Sequence, residues 1–509
     1  MIAGLNGRIA RRLPQPVLRA AFDLLENRTS VQRSISGQLG RIRAGQAWAG
    51  LDPCYVSLRS GRTSVLARTV HRFSAVEAAA ENAAFASAAA ESAGVPYRIE
   101  ADAPRHGLRL VAAAQDLRLI ERELTRQGIQ RPLYMTGGNA GDAMLVRNGS
   151  SDQGVPDVFE YLAAERLILA GPELACRLVA AGAERTHPGL AEVLQPVDLV
   201  YTWVDGSDPE WMRERDRAWA RIHPEEVNPY AANAERYRNH EELRYSLRSV
   251  DYFAPWINHI YLVTAGQVPG WLNCANSRIT VVDHREIFPA DALPTFNSHA
   301  IEARLHRIPG LSEHFLYLND DVFFGRHVGP ERFFHGNGLP KFFQSENRIP
   351  AGEVSIADLP VDSAAKRNRQ LLQHKFGRTV EFKFKHAAHA QRRSTLQRIE
   401  EEFPAEHANT THSRFRNPQD ISIPSSLAHY YGFATGAAVA GTISYRFCDI
   451  SEPDALVKLL RLLRDRSADV FCLNETGPSA LDWERLDRML EDFLEAYFPV
   501  PSSFERGSE

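Results

Sequence analysis

Four short, nearly continuous apolar runs constrain the fold of this chain more than any other feature. They read VDLVYTW, HIYLVTAG, RITVVDH and HFLYLNDD, and they lie between residues 197 and 321. Strands of this kind are buried on both faces, as in a parallel sheet covered by helices. Apolar residues at helical spacing lie between the runs: Leu243, Leu247 and Val250, then Ile301, Leu305 and Ile308. The alternation predicts an α/β fold with a Rossmann-like core, which would bind ligands beyond the carboxyl ends of its strands.

Acidic turns follow two of these apolar runs. Asp205 and Asp208 follow the first run, and Asn319, Asp320 and Asp321 follow the fourth. If the sheet is parallel, both groups lie at the same edge. Adjacent carboxylates suit Mg²⁺ or Mn²⁺, whereas the alternative is an ordinary turn, which Asn and Asp favour. We favour the metal, because two unpaired charges beside a buried strand would be costly.

The segment SHAIEARLHRIPG carries a polar stripe. On a helix, His299, Glu302 and His306 share one face. These side chains could bind a metal or move protons, but from spacing alone a solvated polar face is the better interpretation. The preceding LPTFNS loop points the start of this helix at the sheet edge, and helix N-termini attract phosphate. His299 is therefore of more interest than His306.

The segment RYRNHEELRYSLRS predicts the start of another helix. Asn239 and Glu242 fit the first and last positions of a capping box. Arg236, Arg238 and Arg244 remain available for an anionic ligand. The alternative for Arg244 is a pairing with Asp251 or contact with solvent.

A strongly basic run covers residues 366–393. It holds nine Lys or Arg and one acid, Glu381, in a chain whose net charge is −4. This local charge indicates a phosphate-rich or acidic ligand, and the alternative is a solvated basic face. We expect no nucleic acid, since stacking on bases needs more interleaved aromatic residues than this run contains.

Residues 1–195 differ from the rest of the chain in composition and in the pattern of apolar residues. Alanine-rich helical sequence, residues 75–94, precedes short strand-like runs, which predicts a smaller N-terminal α/β domain ending at residue 195. We find no group of residues in this domain whose spacing indicates a catalytic or binding site. The five cysteines of the chain include no CxxC pair, which argues against a disulfide framework or a structural zinc site and suits a reducing compartment.

The sequence also bears on localisation. It contains no run of about 18 apolar residues that could span a membrane and no apolar core typical of a signal peptide. The arginines of residues 1–19 could form a membrane-surface helix, but Pro14 and Pro16 interrupt the pattern and favour a terminal helix packed on its own domain. We expect a cytoplasmic protein that could lie at the inner face of the plasma membrane, in an oligomeric state that the sequence leaves open.

Taken together, these segments resemble the Stealth family of bacterial sugar-1-phosphate transferases, which includes the precursor of the animal lysosomal N-acetylglucosamine-1-phosphotransferase α/β subunits. Four blocks match in order: VDLVYTWVDGSDPEW, RYRNHEELRYSLRS through FLYLNDDVFFG, KHAAHAQRR through ISIPS, and CLNET. The family usually has CLND in the fourth block, so Glu475 replaces an Asp there while Asn474 is retained, which leaves open whether Glu475 is a ligand. The resemblance covers residues 196–480 and not residues 1–195.

The resemblance implies a GT-A-like nucleotide-sugar-binding core and a particular reaction. A sugar-1-phosphate would pass from a nucleotide-diphosphate sugar, such as a UDP-linked hexose or N-acetylhexosamine, to a hydroxyl of an acceptor glycan. The products would be a phosphodiester, as in capsule or exopolysaccharide synthesis, and a nucleoside monophosphate. Two alternatives remain: a metal-dependent glycosyltransferase that releases a nucleoside diphosphate, and a non-catalytic protein that binds anionic glycan.

The resemblance also implies roles for individual residues. Ligands of Mg²⁺ or Mn²⁺ would be Asp320 and Asp321, supported by Asn319 and Asn474. Arg416 would clamp phosphate, and either His386 or His389 would be the general base. The residues assigned to catalysis are His386, His389, Arg416, His299 and Asp320. The residues assigned to substrate binding are Asp205, Asp208, Arg238, Asn239, Arg244, Asn297, Glu302 and Arg414.

Overall fold

The structure is a computed structural model. It describes residues 55–60, 63–69, 75–102, 107–128, 133–136, 142–148, 159–162, 165–168, 176–181, 189–222, 237, 240–475, 483–498 and 501–506. The N-terminal arginine-containing segment lies outside these ranges, and so do Arg236, Arg238 and Asn239, so the roles predicted for them stay predictions.

The described residues before position 181 form helices and strands, which agrees with the predicted α/β character. The bounds are β1 Tyr55–Ser60, β2 Thr63–Thr69, α1 Ala75–Ser92, β3 Tyr97–Asp102, β4 Gly107–Ala112, α2 Leu117–Gly128, β5 Leu133–Thr136, β6 Asp142–Asn148, β7 Phe159–Leu162, β8 Glu165–Ile168 and β9 Cys176–Ala180. Five of the strands form a mixed sheet in the order β3-β4-β9-β6-β5, and the other four form an antiparallel sheet in the order β1-β2-β8-β7. Small side chains of α1, such as Ala86 and Ala90, pack with Leu110 and Leu178 of the mixed sheet. The domain boundary at residue 195 remains a prediction.

The four apolar runs form the centre of the next sheet, as predicted. Its strands are β10 Val197–Thr202, β11 Ile260–Thr264, β12 Ile279–Asp283, β13 His314–Asn319 and β18 His389–Arg392. The order is β12-β11-β10-β13-β18, and the first four strands are parallel. Strand β18 joins β13 antiparallel, which the sequence did not predict. The α/β class and the Rossmann-like core are confirmed.

Helices cover both faces of this sheet. The bounds are α3 Pro209–Trp219, α4 Glu242–Phe253, α5 His284–Ile287, α6 Ser298–Arg304, α7 Pro360–Phe376, α8 Arg393–Glu402, α9 Pro404–His412, α10 Ala428–Thr435, α11 Ala455–Asp465 and α12 Trp483–Tyr497. On one face, Leu199 packs with Leu247 of α4. On the other face, Val200 packs with Ala300 of α6. Within the described ranges, no helix combines the length and the apolar character needed to cross a membrane.

A second, smaller sheet begins directly after β13. It consists of β14 Val322–Phe324, β20 Tyr445–Asp449 and β21 Val470–Asn474, with β21 in the middle. The chain therefore passes from one sheet to the other through Asp320 and Asp321. The remaining short strands pair as β15 Lys341–Phe342 with β19 Val439–Ala440 and as β16 Gln344–Arg348 with β17 Phe382–Phe384.

Two expectations about helices are wrong. Helix α4 begins at Glu242, and Glu241 occupies the cap position with φ 60° and no side-chain capping bond, so Glu242 is not the last residue of a capping box. The polar stripe formed by α6 and the 3₁₀ turn after it is not solvated, because His299, Glu302 and His306 are 5%, 5% and 7% exposed. Helix α9 packs on α6, and α8 packs on the short 3₁₀ turn that follows α6, so these helices cover the stripe.

Candidate active site

The two acidic turns leave the same edge of the central sheet, as predicted. Thr202 at the end of β10 lies opposite Asn319 at the end of β13. Residues 203–208 and Asp320 with Asp321 therefore continue from neighbouring carboxyl ends. This edge is where an open parallel sheet binds its ligands.

The first acidic turn is organised by its own carboxylates. Asp205 accepts hydrogen bonds from the backbone N–H of Ser207 (2.9 Å) and from its hydroxyl (2.6 Å). Asp208 caps α3 by accepting from the N–H of Glu210 at 2.9 Å, and it also accepts from the Gln267 amide at 3.0 Å. The hydrogen bond from Gln267 lowers the pKa of Asp208 most, and that from Glu210 adds to it. Donor binding by Asp205 and Asp208 stays a prediction.

Gly206 lets a distant segment approach this turn. Its N–H donates to the carbonyl of Tyr237 at 3.0 Å, and a Cβ at position 206 would lie 2.0 Å from that oxygen. The Tyr237 hydroxyl in turn donates to the carbonyl of Phe296 at 3.1 Å. Because no other residue lacks a Cβ, glycine is required for this close approach.

Asp321 is the most enclosed carboxylate of the second turn. It is 8% exposed, and its Oδ2 accepts from the Asn474 amide at 2.8 Å and from the Cys472 thiol at 3.3 Å. Its Oδ1 is buried and accepts a hydrogen bond from no residue that the structure describes. Nε2 of His386 lies 3.7 Å from that Oδ1. A buried carboxylate oxygen without a hydrogen bond is costly unless a ligand satisfies it.

Glu242, Asp320, Asp321 and Glu475 form what we call the acidic cluster. Burial, reinforced by the charge of Asp321, raises the pKa of Asp320 to about 7. Burial and then the charge of Asp320 raise the pKa of Glu242 well above its usual range. Such shifts mean that desolvation and mutual repulsion outweigh the positive charge that His240 contributes. Carboxylate and amide oxygens are the ligands that Mg²⁺ and Mn²⁺ prefer, so the residues present fit such an ion.

His240 connects the acidic cluster to Asp487 on α12. Its Nε2 lies 3.5 Å from Oε2 of Glu475, and its Nδ1 contacts the carboxylate of Asp487 on α12. Burial disfavours the charged ring, but Glu475, Glu242 and Asp487 together raise the pKa of His240 to about 9. Glu475, which stands where the resemblance expects Asp, is thus held beside a cationic imidazole.

Ser298, Glu302, Tyr317 and Arg416 form an arginine cluster at the same edge. Arg416 donates to the Ser298 hydroxyl at 2.6 Å. Glu302 accepts from the Tyr317 hydroxyl at 3.3 Å, and the Tyr317 hydroxyl lies 3.2 Å from that of Thr202. Burial lowers the pKa of Arg416, and the charge of Glu302 opposes this effect. The guanidinium is therefore held beside the ends of β10 and β13.

Several residues predicted to bind substrate have partners within the fold. Asn297 caps α6 by accepting from the N–H of His299 at 3.1 Å, and its amide donates to Asp420 at 2.8 Å. The Nδ1 atom of His299 lies 3.7 Å from Asp420, while Arg414 donates to the carbonyl of Leu293 at 3.2 Å. Their substrate contacts stay predictions.

Arg244 points toward the C-terminal residues. Its Nε donates to Glu505 at 2.6 Å, and the same carboxylate accepts from Arg248. A role for Arg244 in binding an anionic ligand stays a prediction.

The two candidate bases differ in surroundings. His389 is buried on β18, its Nδ1 lies 3.0 Å from Nε2 of His429, and its ring stacks on Tyr317. Burial, with the His429 charge, holds the pKa of His389 well below its usual range, so its ring is neutral. The side chain of His386 is 34% exposed. His386 is therefore the ring that a substrate can reach.

The charge of the basic run is largely compensated by acids from elsewhere in the chain. Five of its nine cations have carboxylate partners: Lys366 with Asp358, Arg367 with Glu406, Lys375 with Glu402, Lys383 with Asp362, and Arg392 with Glu313. The pairs reduce the local charge from which we inferred an acidic polymer ligand.

The sequence reasoning missed three residues of the site. Glu242 was interpreted as a helix cap, and His240 and Cys472 were not singled out as site residues. Both His240 and Glu242 lie in a segment noted for its arginines, and Cys472 lies two residues before Asn474. No spacing in the sequence indicates that these side chains meet Asp320 and Asp321.

A mainly parallel sheet with helices on both faces, with buried carboxylates and an arginine at its carboxyl edge, defines an α/β protein of the Rossmann-like class. Within that class, four conserved regions of the Stealth proteins match this chain in order. Region 1 matches residues 195–219, region 2 residues 236–342, region 3 residues 385–433 and region 4 residues 461–509. The chain belongs to the Stealth family, as the sequence motifs predicted.

Two curated relatives are both named exopolysaccharide phosphotransferases. An exopolysaccharide phosphotransferase of Streptomyces coelicolor is 53% identical over 317 residues, which is 62% of this chain and 53% of the relative. The exopolysaccharide phosphotransferase CpsY of Mycobacterium tuberculosis is 41% identical over 322 residues, 63% of this chain and 60% of the relative. The chain thus spans little more than half the length of these two relatives.

A solved structure also matches. It is a crystal structure of the galactosyltransferase LgtC in complex with donor and acceptor sugar analogues. The identity is 14%, the match covers 58% of this chain and 96% of that chain, and the TM-score is 0.29.

Proposed function

We propose that this chain transfers a sugar-1-phosphate from a nucleotide-diphosphate sugar to a hydroxyl of an acceptor glycan in exopolysaccharide synthesis. The reaction forms a phosphodiester and releases a nucleoside monophosphate. Membership of the Stealth family and the names of the relatives support the reaction class. A UDP-linked hexose or N-acetylhexosamine is the proposed donor.

The buried acidic cluster carries this proposal. Asp320 and Asp321, with the side-chain oxygens of Asn319 and Asn474, would hold Mg²⁺ or Mn²⁺, and Glu242 and Glu475 would add negative charge around it. The ion, when bound, would neutralise charge on the donor's phosphates. The Oδ1 atom of Asp321, which lacks a hydrogen bond from any described residue, supplies the observation that supports this assignment most directly.

Arg416 and His386 would act on the two sides of the reacting phosphorus. Charge develops on the phosphoryl oxygens during transfer, and a guanidinium can bind two of them at once. Arg416 is fixed for that purpose by its bond to Ser298. His386 is accessible and lies beside Asp321, so it would take the proton of the acceptor hydroxyl. His389 would then hold Tyr317 and His429 in place without exchanging protons with substrate.

The released nucleotide tests the proposal. Purified protein would be incubated with Mg²⁺, a panel of nucleotide sugars and a polysaccharide acceptor, and the nucleotide product identified by chromatography. We expect a nucleoside monophosphate, and phosphorus in the glycan product. The variant Asp320→Asn should lose this activity, and Asp216→Asn, a change of an exposed acid on α3, should retain it.

Two other outcomes would contradict the proposal. Release of a nucleoside diphosphate would indicate a metal-dependent glycosyltransferase that attacks the sugar carbon. Binding of anionic glycan without turnover of any donor would indicate a non-catalytic protein. The accessory role of residues 1–195 and the peripheral membrane location are part of the same proposal.

A further inference from the structure

Three side chains of different chemistry converge beside the acidic cluster. They are Asp321, His386 and Cys472, and one ligand atom from each lies within 4.8 Å of the others. The Cys472 sulfur is 3.3 Å from Oδ2 of Asp321, and Nε2 of His386 is 3.7 Å from Oδ1. The same Oδ1 is buried and receives no hydrogen bond from the described part of the chain.

These separations suit a tetrahedral ion. Zinc binds sulfur at about 2.3 Å and imidazole nitrogen or carboxylate oxygen at about 2.0–2.2 Å. In a tetrahedron with such bonds, neighbouring ligand atoms lie about 3.3 to 3.7 Å apart. The sulfur lies 3.3 Å from Oδ2 of Asp321 and the imidazole nitrogen lies 3.7 Å from Oδ1. Each distance is close to such an edge, and because they involve the two oxygens of one carboxylate, Asp321 would have to reorient slightly to bind through one oxygen or bind through both. His386 is the partly exposed member of the three, so the opening to solvent lies on its side.

We propose that Asp321, His386 and Cys472 bind Zn²⁺, and that Zn²⁺ held there inhibits the transfer reaction. A sulfur, a nitrogen and an oxygen ligand suit Zn²⁺ and are a poor set for Mg²⁺. The Cys472 thiol loses its proton to solvent when its sulfur coordinates the ion. The inhibitory part rests on the proposed function, because Zn²⁺ would occupy Asp321 and His386, which Mg²⁺ and the acceptor hydroxyl need.

A second group of potential metal ligands is a poorer site for a cation, because its carboxylate is already neutralised. His306, Glu400 and His407 also lie close together, but Arg304 and Arg307 donate to Glu400 at 3.1 and 2.7 Å. Two guanidinium groups already balance that carboxylate, so an added cation would be repelled. The group around Asp321 is therefore the one that we assign to Zn²⁺.

Cobalt provides a direct readout of the sulfur ligand. The purified full chain would be titrated with Co²⁺, and the near-ultraviolet sulfur-to-cobalt charge-transfer band recorded, followed by displacement with Zn²⁺. We expect the band in the unmodified protein and its absence in Cys472→Ser, with a loss of Zn²⁺ affinity greater than about 100-fold. Cys448→Ser is the matched control, because Cys448 is equally buried on the adjacent strand but its sulfur faces the carbonyl of Ala455. That control should keep the band.

A second variant covers the case in which Cys472→Ser fails to fold. His386→Ala removes a half-buried ring, and it should lower Zn²⁺ affinity while keeping the sulfur band. Absence of the band in the unmodified protein, or its persistence in folded Cys472→Ser, would overturn the proposed site. Since these measurements use no donor, Zn²⁺ binding without transferase activity would contradict the proposed function alone. Transfer activity that Zn²⁺ does not reduce in excess Mg²⁺ would overturn the inhibitory role.

Discussion

Replacing Asp320 by Asn should stabilise the metal-free protein at alkaline pH while destroying the ion site. Asp320 is half-buried beside Asp321, and this desolvation together with the neighbouring charge raises its pKa from 3.8 to about 7. A carboxyl whose pKa is higher in the folded state favours folding while protonated. Its contribution is therefore lost as pH rises from about 4 to about 7, and the metal-free protein carries the full cost at pH 8.

The pKa difference sets the size of the effect. The interval between 3.8 and about 7 corresponds to about 4 kcal/mol as an upper bound. At about 2 °C per kcal/mol for a domain of this size, that is an increase in Tm of about 8 °C. We expect about half of it, roughly 4 °C, because the side chain is partly exposed and water screens its charge.

Thermal unfolding in EDTA at pH 5 and pH 8 measures this effect. Asp320→Asn should have the higher Tm at pH 8, and its advantage should shrink at pH 5. Mg²⁺ should stabilise the unmodified protein more than the variant, because ligand binding to the folded state adds stability. Asp208→Asn is the control. Hydrogen bonds lower the pKa of Asp208, so its charged form stabilises the fold and this variant should have a lower Tm at pH 8. A lower Tm for Asp320→Asn at pH 8, with an unchanged pH dependence, would refute the reasoning.

Three further predictions concern single side chains. His386→Ala should lower kcat by about 10²-fold or more because it removes the accessible base. His389→Gln, which removes a buried neutral ring, should lower kcat less. Equal losses would contradict the assignment of His386 as the general base. Arg416→Lys should lower kcat/KM by about 10²-fold, since lysine cannot bind two phosphoryl oxygens in a fork, and Arg414→Lys should have the smaller effect in the same steady-state assay. Gly206→Ala should reduce stability by about 1–3 kcal/mol, because its Cβ would lie 2.0 Å from the carbonyl of Tyr237; a thermal unfolding curve that superimposes on that of the unmodified protein would show that this segment can move away.

The central sheet could be predicted from the sequence because its signal is local. Runs such as HIYLVTAG need burial on both faces, and this requirement alone favours parallel strands between helices. The shared edge of the two acidic turns then follows from the direction of the strands. Strand β18 could not be predicted in this way, because HAQR lacks the apolar character of the other strands.

The complete site could not be predicted, because its partners are far apart in the chain. Asn474 and Cys472 reach Asp321 across about 150 residues, and His240 meets Asp487 across a separation of 247. A single sequence does not show which residues so far apart in the chain come into contact. Part of the basic run is likewise neutralised by acids outside it, such as Glu313 and Glu406, which lie 79 and 39 residues from their arginine partners.

Polar residues on α6 and on the 3₁₀ turn that follows it illustrate a second limit. A helical wheel shows that His299, Glu302 and His306 share a face, but it does not show what covers that face. In the fold each of them has a different partner: Asp420, Tyr317 and Glu400 respectively. The helices that bury these residues lie about 90 residues or more further along the chain, so the sequence of the segment itself does not show the burial.

The location of the divalent ion relative to the donor pyrophosphate tests the central claim most directly. Crystals grown with Mn²⁺ and a non-hydrolysable nucleotide-sugar analogue would give an anomalous signal for the ion. We predict the signal within bonding distance of Asp320 and Asp321, with the pyrophosphate oxygens bound to it and to Arg416. A pyrophosphate bound elsewhere, or an ion that touches neither aspartate, would contradict the account.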